Sequence, residues 1–229
     1  MDSQRKLNLP ALIDFYDRKV PQSIGHATSV NAVMGEEFAS ALFLDFAERN
    51  NLSPTIITEV CTQGTQKGKR LDRWIQIIEN EIPVHFQTEI KNWSAHAFSG
   101  RKIPLSESGE ELIPYRIARW NVQFDPETNT LRQEPAKKVL IKMKALDPNV
   151  EIRPLIIFWD SMHPEGKPDP FFSVKVNDSP FNTLWIFSMS THIRNLVNEG
   201  ILEIKVDMPT VKERFNWLNT LYKSIDKVT

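Results

Sequence analysis

The sequence predicts one α/β domain, and three observations lead to that expectation. A helix-period segment near residue 40 is followed by short β-branched and alternating runs, the C-terminal half again alternates strand-like and helix-like segments, and neither an internal repeat nor a low-complexity linker divides the chain. Residues 35–50 (GEEFASALFLDFAERN) place Phe38, Leu42, Phe43, Phe46 and Ala47 at helical spacing and end in the breakers Asn50, Asn51, Ser53 and Pro54, so a helix is expected. Residues 55–61 (TIITEVC) are short and β-branched, as a strand requires. The glycine- and lysine-bearing stretch 62–69 (TQGTQKGK) suits a solvated turn leading into residues 70–78 (RLDRWIQII), where Leu71, Ile75 and Ile77 sit among polar neighbours; a hairpin is predicted. Residues 84–93 (VHFQTEIKNW) give the clearest strand, with Val84, Phe86, Thr88 and Ile90 on one face and His85, Gln87, Glu89 and Lys91 on the other.

From residue 94 to 134 the pattern weakens into glycine, proline and mixed charge, although Ile117, Trp120, Val122 and Phe124 offer a further short strand. Residues 135–146 (PAKKVLIKMKAL) predict a lysine-rich helix: proline stands at its start, Val139, Leu140 and Met143 form an apolar set, and Lys137, Lys138, Lys142 and Lys144 surround it. Residues 153–159 (RPLIIFW) are nearly all apolar, which predicts a strand buried on both faces; 171–176 and 184–187 predict further strands. A helix over 191–198 capped by Gly200, a strand over 201–206 and a closing helix over 209–222 complete the order. The segments that carry chemistry span about residues 35–159. Residues 160–229 are expected to belong to the same domain, where they extend the sheet, form a dimer interface or dock on a partner.

Composition narrows the function classes. With 41% hydrophobic and 25% charged residues, the 229-residue chain is neither disordered nor collagen-like and is long enough for a sizeable core. The 28 basic and 29 acidic residues leave a formal charge of −1, so no whole-protein basic field drives nucleic-acid binding and any polyanion site is a local patch. Cys61 is the single cysteine, which excludes an intramolecular disulfide and a Cys-based zinc or iron–sulfur centre. The first ten residues lack a signal-peptide apolar core, and no segment approaches the roughly 20 apolar residues of a membrane span. A cytoplasmic protein with no membrane partner is the expectation.

The polar face of the 84–93 strand is where chemistry is concentrated. Glu89 and Lys91 are two residues apart, so they project from the same side, roughly 6–7 Å apart along the strand. If the preceding strand pairs with this one, Asp72 lies beside Glu89 and the two carboxylates converge. Two hard oxygen ligands from adjacent strands suit Mg²⁺ or Mn²⁺, which take few protein carboxylates and complete their shell with water and phosphate. Glu-x-Lys alone is a common ion pair on a solvated β-surface. Asp72 on the neighbouring strand, together with an acidic helix upstream, shifts the balance toward a metal site.

Asp72, the run Glu89-Ile90-Lys91 on the next strand and a preceding helix that carries Gly35-Glu36-Glu37 resemble the PD-(D/E)XK nuclease superfamily. The chain has Leu71 where the superfamily's name has proline. The resemblance implies a restriction-endonuclease-like core, a mixed central β-sheet flanked by helices. It implies that Asp72 and Glu89 bind the metal, with the main-chain carbonyl of Ile90 as a further ligand, and that Glu36 or Glu37 supplies a helix carboxylate. At 100° per residue Glu36 falls nearer the edge of the apolar stripe than Glu37, which favours Glu36. Lys91 is implied as the catalytic lysine, orienting the attacking water or stabilising charge on the phosphorus. Ligand count leaves open whether one or two metals take part. The implied activity is a magnesium- or manganese-dependent endonuclease, a phosphodiester hydrolase that favours DNA over RNA, in a prokaryotic defence, mobile-element or repair setting, as a homodimer or with a protein partner in a larger complex. The alternative is a non-catalytic nucleic-acid-binding or assembly subunit that keeps the fold.

Candidate nucleic-acid contacts are Lys67, Lys69 and Arg70 in the basic turn, with Arg73 beyond it, and Lys138 and Lys142 in the lysine-rich segment; solvated lysine faces are the competing explanation. The run from Gly64 to Arg70 is not a phosphate loop, because it has one residue too few between glycines and Arg70 where a hydroxyl is required. Glu59 and Glu79 read as exposed carboxylates near strand ends. His85 and His96 read as surface or hydrogen-bonded residues, and His163, before a proline, as a loop residue. Trp93, Trp120 and Trp159 read as core before base-stacking platforms, and Cys61 has no histidine beside it to make a nucleophile.

Overall fold

The computed structural model describes residues 4–17, 34–56, 71–91, 124–132, 137–141, 149–177 and 180–224. The elements in order are β1 (Gln4–Asn8), α1 (Leu9–Asp17), α2 (Glu36–Arg49), β2 (Thr55–Ile56), β3 (Arg73–Glu79), β4 (Ile82–Lys91), β5 (Phe124–Asp125), β6 (Thr130–Leu131), a 3-10 turn (Lys138–Leu140), β7 (Glu151–Phe158), β8 (Phe171–Lys175), β9 (Thr183–Ser188), α3 (Met189–Asn198), β10 (Glu203–Asp207) and α4 (Val211–Lys223). The fold is α/β, with a mixed six-stranded central sheet of order β2-β3-β4-β7-β9-β8 flanked by helices. β3 runs antiparallel to both β2 and β4, β4, β7 and β9 are mutually parallel, and β8 returns antiparallel to β9.

The apolar run of β7 explains its central place. Residues 154–158 are all buried, because parallel strands on both sides leave only the two faces to cover, and both are covered. Leu155 and Ile157 join a cluster with Phe43 of α2, Phe86 of β4, Phe187 of β9 and Ile193 of α3. Ile156 and Phe158 face the opposite way, onto Phe124, Leu131, Val139 and Leu140. The same period of two runs through β4: Val84, Phe86 and Ile90 enter the helix-side cluster, and the face carrying Gln87, Glu89 and Lys91 turns toward the 3-10 turn.

Three local details bear on the sequence expectation. The N-terminal residues form a strand, β1, paired antiparallel with β10 from Gln4↔Asp207 to Asn8↔Glu203, where no element was expected. Of the predicted helix over 135–146, the described residues are Lys137 in helical backbone and a 3-10 turn, Lys138–Leu140, that ends at Ile141 in extended backbone (φ −90°, ψ 113°). The β3–β4 connection is a two-residue turn closed by the Glu79↔Ile82 pair, with Asn80 at φ 51° and Glu81 at φ 68°, the left-handed geometry that tight hairpins demand. Of the alternatives for residues 160–229, β8 and β9 extend the sheet. Gly200, at φ 84°, closes α3: its N–H reaches Val197 O at 3.0 Å and that of Ile201 reaches Leu196 O at 2.9 Å, a Schellman pair. Among the described residues no helix is long and apolar enough to cross a membrane.

Candidate metal centre

Asp72 stands one residue before β3, where the ladder with β4 ends at Arg73↔Thr88. Its own N–H donates to Thr88 O at 3.2 Å, and its carboxylate Oδ2 accepts the Ile90 N–H at 2.8 Å. The side chain thus takes over the pairing that the backbone gives up, which fixes the carboxylate beside Glu89. Glu89 is 1% exposed and Lys91 9%, so this Glu-x-Lys pair does not lie on a solvated β-surface. Lys91 Nζ donates to Glu89 Oε1. The remaining oxygens, Glu89 Oε2 and Asp72 Oδ1, face the Lys138 ammonium at 2.6 and 3.6 Å. Oε2 is buried and faces the Lys138 ammonium.

Asp72 stands beside a buried Glu89 and acts on it. Burial, then the charge on Asp72, push the Glu89 carboxyl up to about 6, against the opposing pull of Lys91 and Lys138. Lys138 is held above the usual lysine range: burial works against its charge, but contact with Glu89 and the charge on Asp72 outweigh it.

Gln87, two residues before Glu89 on the same face, positions Lys138. Its amide Nε2 donates to Val139 O and, at 2.9 Å, to Ile141 O. These bonds tie the 3-10 turn to the sheet. Behind Gln87, Trp74 Nε1 donates to His85 Nδ1 at 3.1 Å; an indole only donates, so His85 carries its hydrogen on Nε2 and gives it to Gln76 Oε1 at 3.0 Å. His85 is therefore a buried structural residue, and Trp159, 1% exposed, is core.

The helix carboxylates are arranged differently from the expectation. Glu37, not Glu36, turns inward: their side chains are 8% and 40% exposed. Arg73 is the cause. Its guanidinium pairs with Glu37 Oε1 at 2.9 Å and Glu36 Oε2 at 3.1 Å and also donates to Asp72 O at 2.8 Å. A partner 36 residues away in sequence makes burial of Glu37 favourable, which apolar periodicity cannot register. Arg73, one of the candidate phosphate contacts, clamps α2 to the start of β3. Lys67, Lys69, Arg70 and Lys142 lie outside the described residues, as do Glu59, Cys61, Trp93, His96 and Trp120.

Asp72 and Glu89 present hard oxygen donors from adjacent strands toward one cation position, so the pair fits Mg²⁺ or Mn²⁺ with water filling the shell. Among the described residues no group of three or more His, Cys, Asp or Glu side chains gathers around one point, and Glu36 is engaged with Arg73. Comparison with protein-family models, with curated proteins and with solved structures finds no match. The functional reading therefore stands on this geometry.

Proposed function

We propose that the chain is a divalent-metal-dependent nuclease, an endonuclease that hydrolyses phosphodiester bonds and favours DNA over RNA. The observation that carries the reading is the pairing of Asp72 and Glu89 across β3 and β4, each with one oxygen tied down and one turned to a common cation position, with Lys91 on Glu89. The strand order adds support: α2 precedes an antiparallel β2-β3-β4 meander, and β7 lies parallel to β4, an order expected of a restriction-endonuclease-like core.

In this reading Asp72, Glu89 and the Ile90 carbonyl hold Mg²⁺ or Mn²⁺. When bound, the ion lowers the pKa of a coordinated water and neutralises charge on the phosphate. The protein's own contribution is placement. The Ile90 N–H fixes the rotamer of Asp72, Gln87 holds the turn that carries Lys138, and Arg73 secures the Asp72 backbone against α2. Lys91, held at the end of β4 by Glu89, is placed to orient the attacking water and to stabilise charge developing on the phosphate oxygens. The setting proposed is cytoplasmic, with DNA as the partner and a homodimer or larger complex as the working assembly.

A second reading, a non-catalytic nucleic-acid-binding or assembly subunit, draws on the engagement of Glu89 with two lysines and of Glu36 with Arg73. The two readings separate in a cleavage assay on supercoiled, linear and single-stranded DNA and on RNA, in Mg²⁺, Mn²⁺ or EDTA, for the native chain, Asp72→Ala and Lys91→Ala. Metal-dependent cutting abolished in both variants supports the nuclease; nucleic-acid binding without cutting under any condition supports the subunit.

A further inference from the structure

We propose that Lys138 is a built-in competitor for the metal: its ammonium occupies the cation position between Asp72 and Glu89, and a divalent ion binds by displacing it. The inference rests on the reading of Asp72 and Glu89 as metal ligands. Each carboxylate has one oxygen committed to the strand scaffold, Asp72 Oδ2 to the Ile90 N–H and Glu89 Oε1 to Lys91. The other two, Asp72 Oδ1 and Glu89 Oε2, are the oxygens that face Lys138 Nζ at 3.6 and 2.6 Å. These are the donors a divalent ion needs, and an ammonium and a doubly charged ion cannot share them against their mutual repulsion.

The local structure lets the side chain leave while its backbone stays. Gln87 anchors the turn through the carbonyls of Val139 and Ile141, on the C-terminal side of Lys138, and the lysine side chain is 26% exposed, so its flexible stem has a path to solvent. Displacement frees a cation beside the occupied site, where a phosphate oxygen is its natural partner. By linkage, whatever anion draws Lys138 away strengthens metal binding, and metal strengthens anion binding by the same factor.

The test is Mn²⁺ binding at neutral pH, measured by titration calorimetry and by paramagnetic resonance of free Mn²⁺, on the full native chain, Lys138→Met, Lys138→Arg and Asp72→Asn. The proposal expects Lys138→Met to bind Mn²⁺ at least about tenfold more tightly than native, Lys138→Arg to stay near native because it keeps the charge, and Asp72→Asn to lose binding. Thermal melts in EDTA and in Mn²⁺ give a second readout should Lys138→Met be less stable: the metal-induced rise in Tm is expected to be larger in Lys138→Met than in native. Equal or weaker binding by Lys138→Met overturns the competitor role and leaves the metal site standing. No Mn²⁺ binding by either chain, or binding that survives Asp72→Asn, overturns the metal reading and the proposal with it.

Discussion

Glu89 sits under opposing influences, burial and Asp72 on one side and Lys91 and Lys138 on the other. Burial and Asp72 raise its carboxyl from 4.5 to about 6 despite Lys91 and Lys138. Between those values the folded protein holds the proton more tightly than the unfolded chain. The contribution of Glu89 to stability is therefore fully present below the lower value and is lost as pH rises through the upper one. At ~1.4 kcal/mol per pH unit, the loss is about 2 kcal/mol. Glu89→Gln removes the titration and leaves a pH-independent offset from the lysines it no longer neutralises. Urea unfolding in EDTA from about pH 4 to about pH 7.5 should show the native chain losing about 2 kcal/mol relative to Glu89→Gln over that range. A flat difference, or a native chain that gains on the variant as pH rises, refutes the reasoning, because it means that the two lysines outweigh burial and Asp72.

Arg73→Met should destabilise the protein by about 3 kcal/mol, since it strands the buried Glu37 carboxylate; adding Glu37→Gln should restore a large part, and denaturation that shows no such recovery argues against the clamp. Glu81→Gly should stabilise by about 1 kcal/mol, because Glu81 holds φ 68° in the β3–β4 turn and glycine adopts it without steric cost; an unchanged urea midpoint contradicts this.

The part of the fold set by side-chain period was legible in the sequence. Alternation over residues 84–91 identified β4 and both its faces, and the apolar run over 153–159 identified the central β7, because burial on one or two faces writes itself directly into residue order. The convergence of Asp72 on Glu89 followed from pairing two consecutive strands, a short-range relation. Long-range relations were not legible. β1 has only Leu7 buried and exists as a strand through β10 at the far end of the chain, so its own residues show little. The inward turn of Glu37 depends on Arg73, and the anchoring of the 3-10 turn to the sheet depends on Gln87 taking the carbonyls of Val139 and Ile141. Lys138 was singled out as a phosphate contact from its charge; its place between two carboxylates required the fold.

The most direct measurement is the position of manganese in crystals of the native chain grown with Mn²⁺, located by its anomalous scattering. The account predicts a peak within about 2–2.5 Å of Asp72 Oδ1 and Glu89 Oε2, with the Lys138 ammonium withdrawn from both oxygens. A peak elsewhere, or no peak with Lys138 still between the two carboxylates at millimolar Mn²⁺, contradicts it.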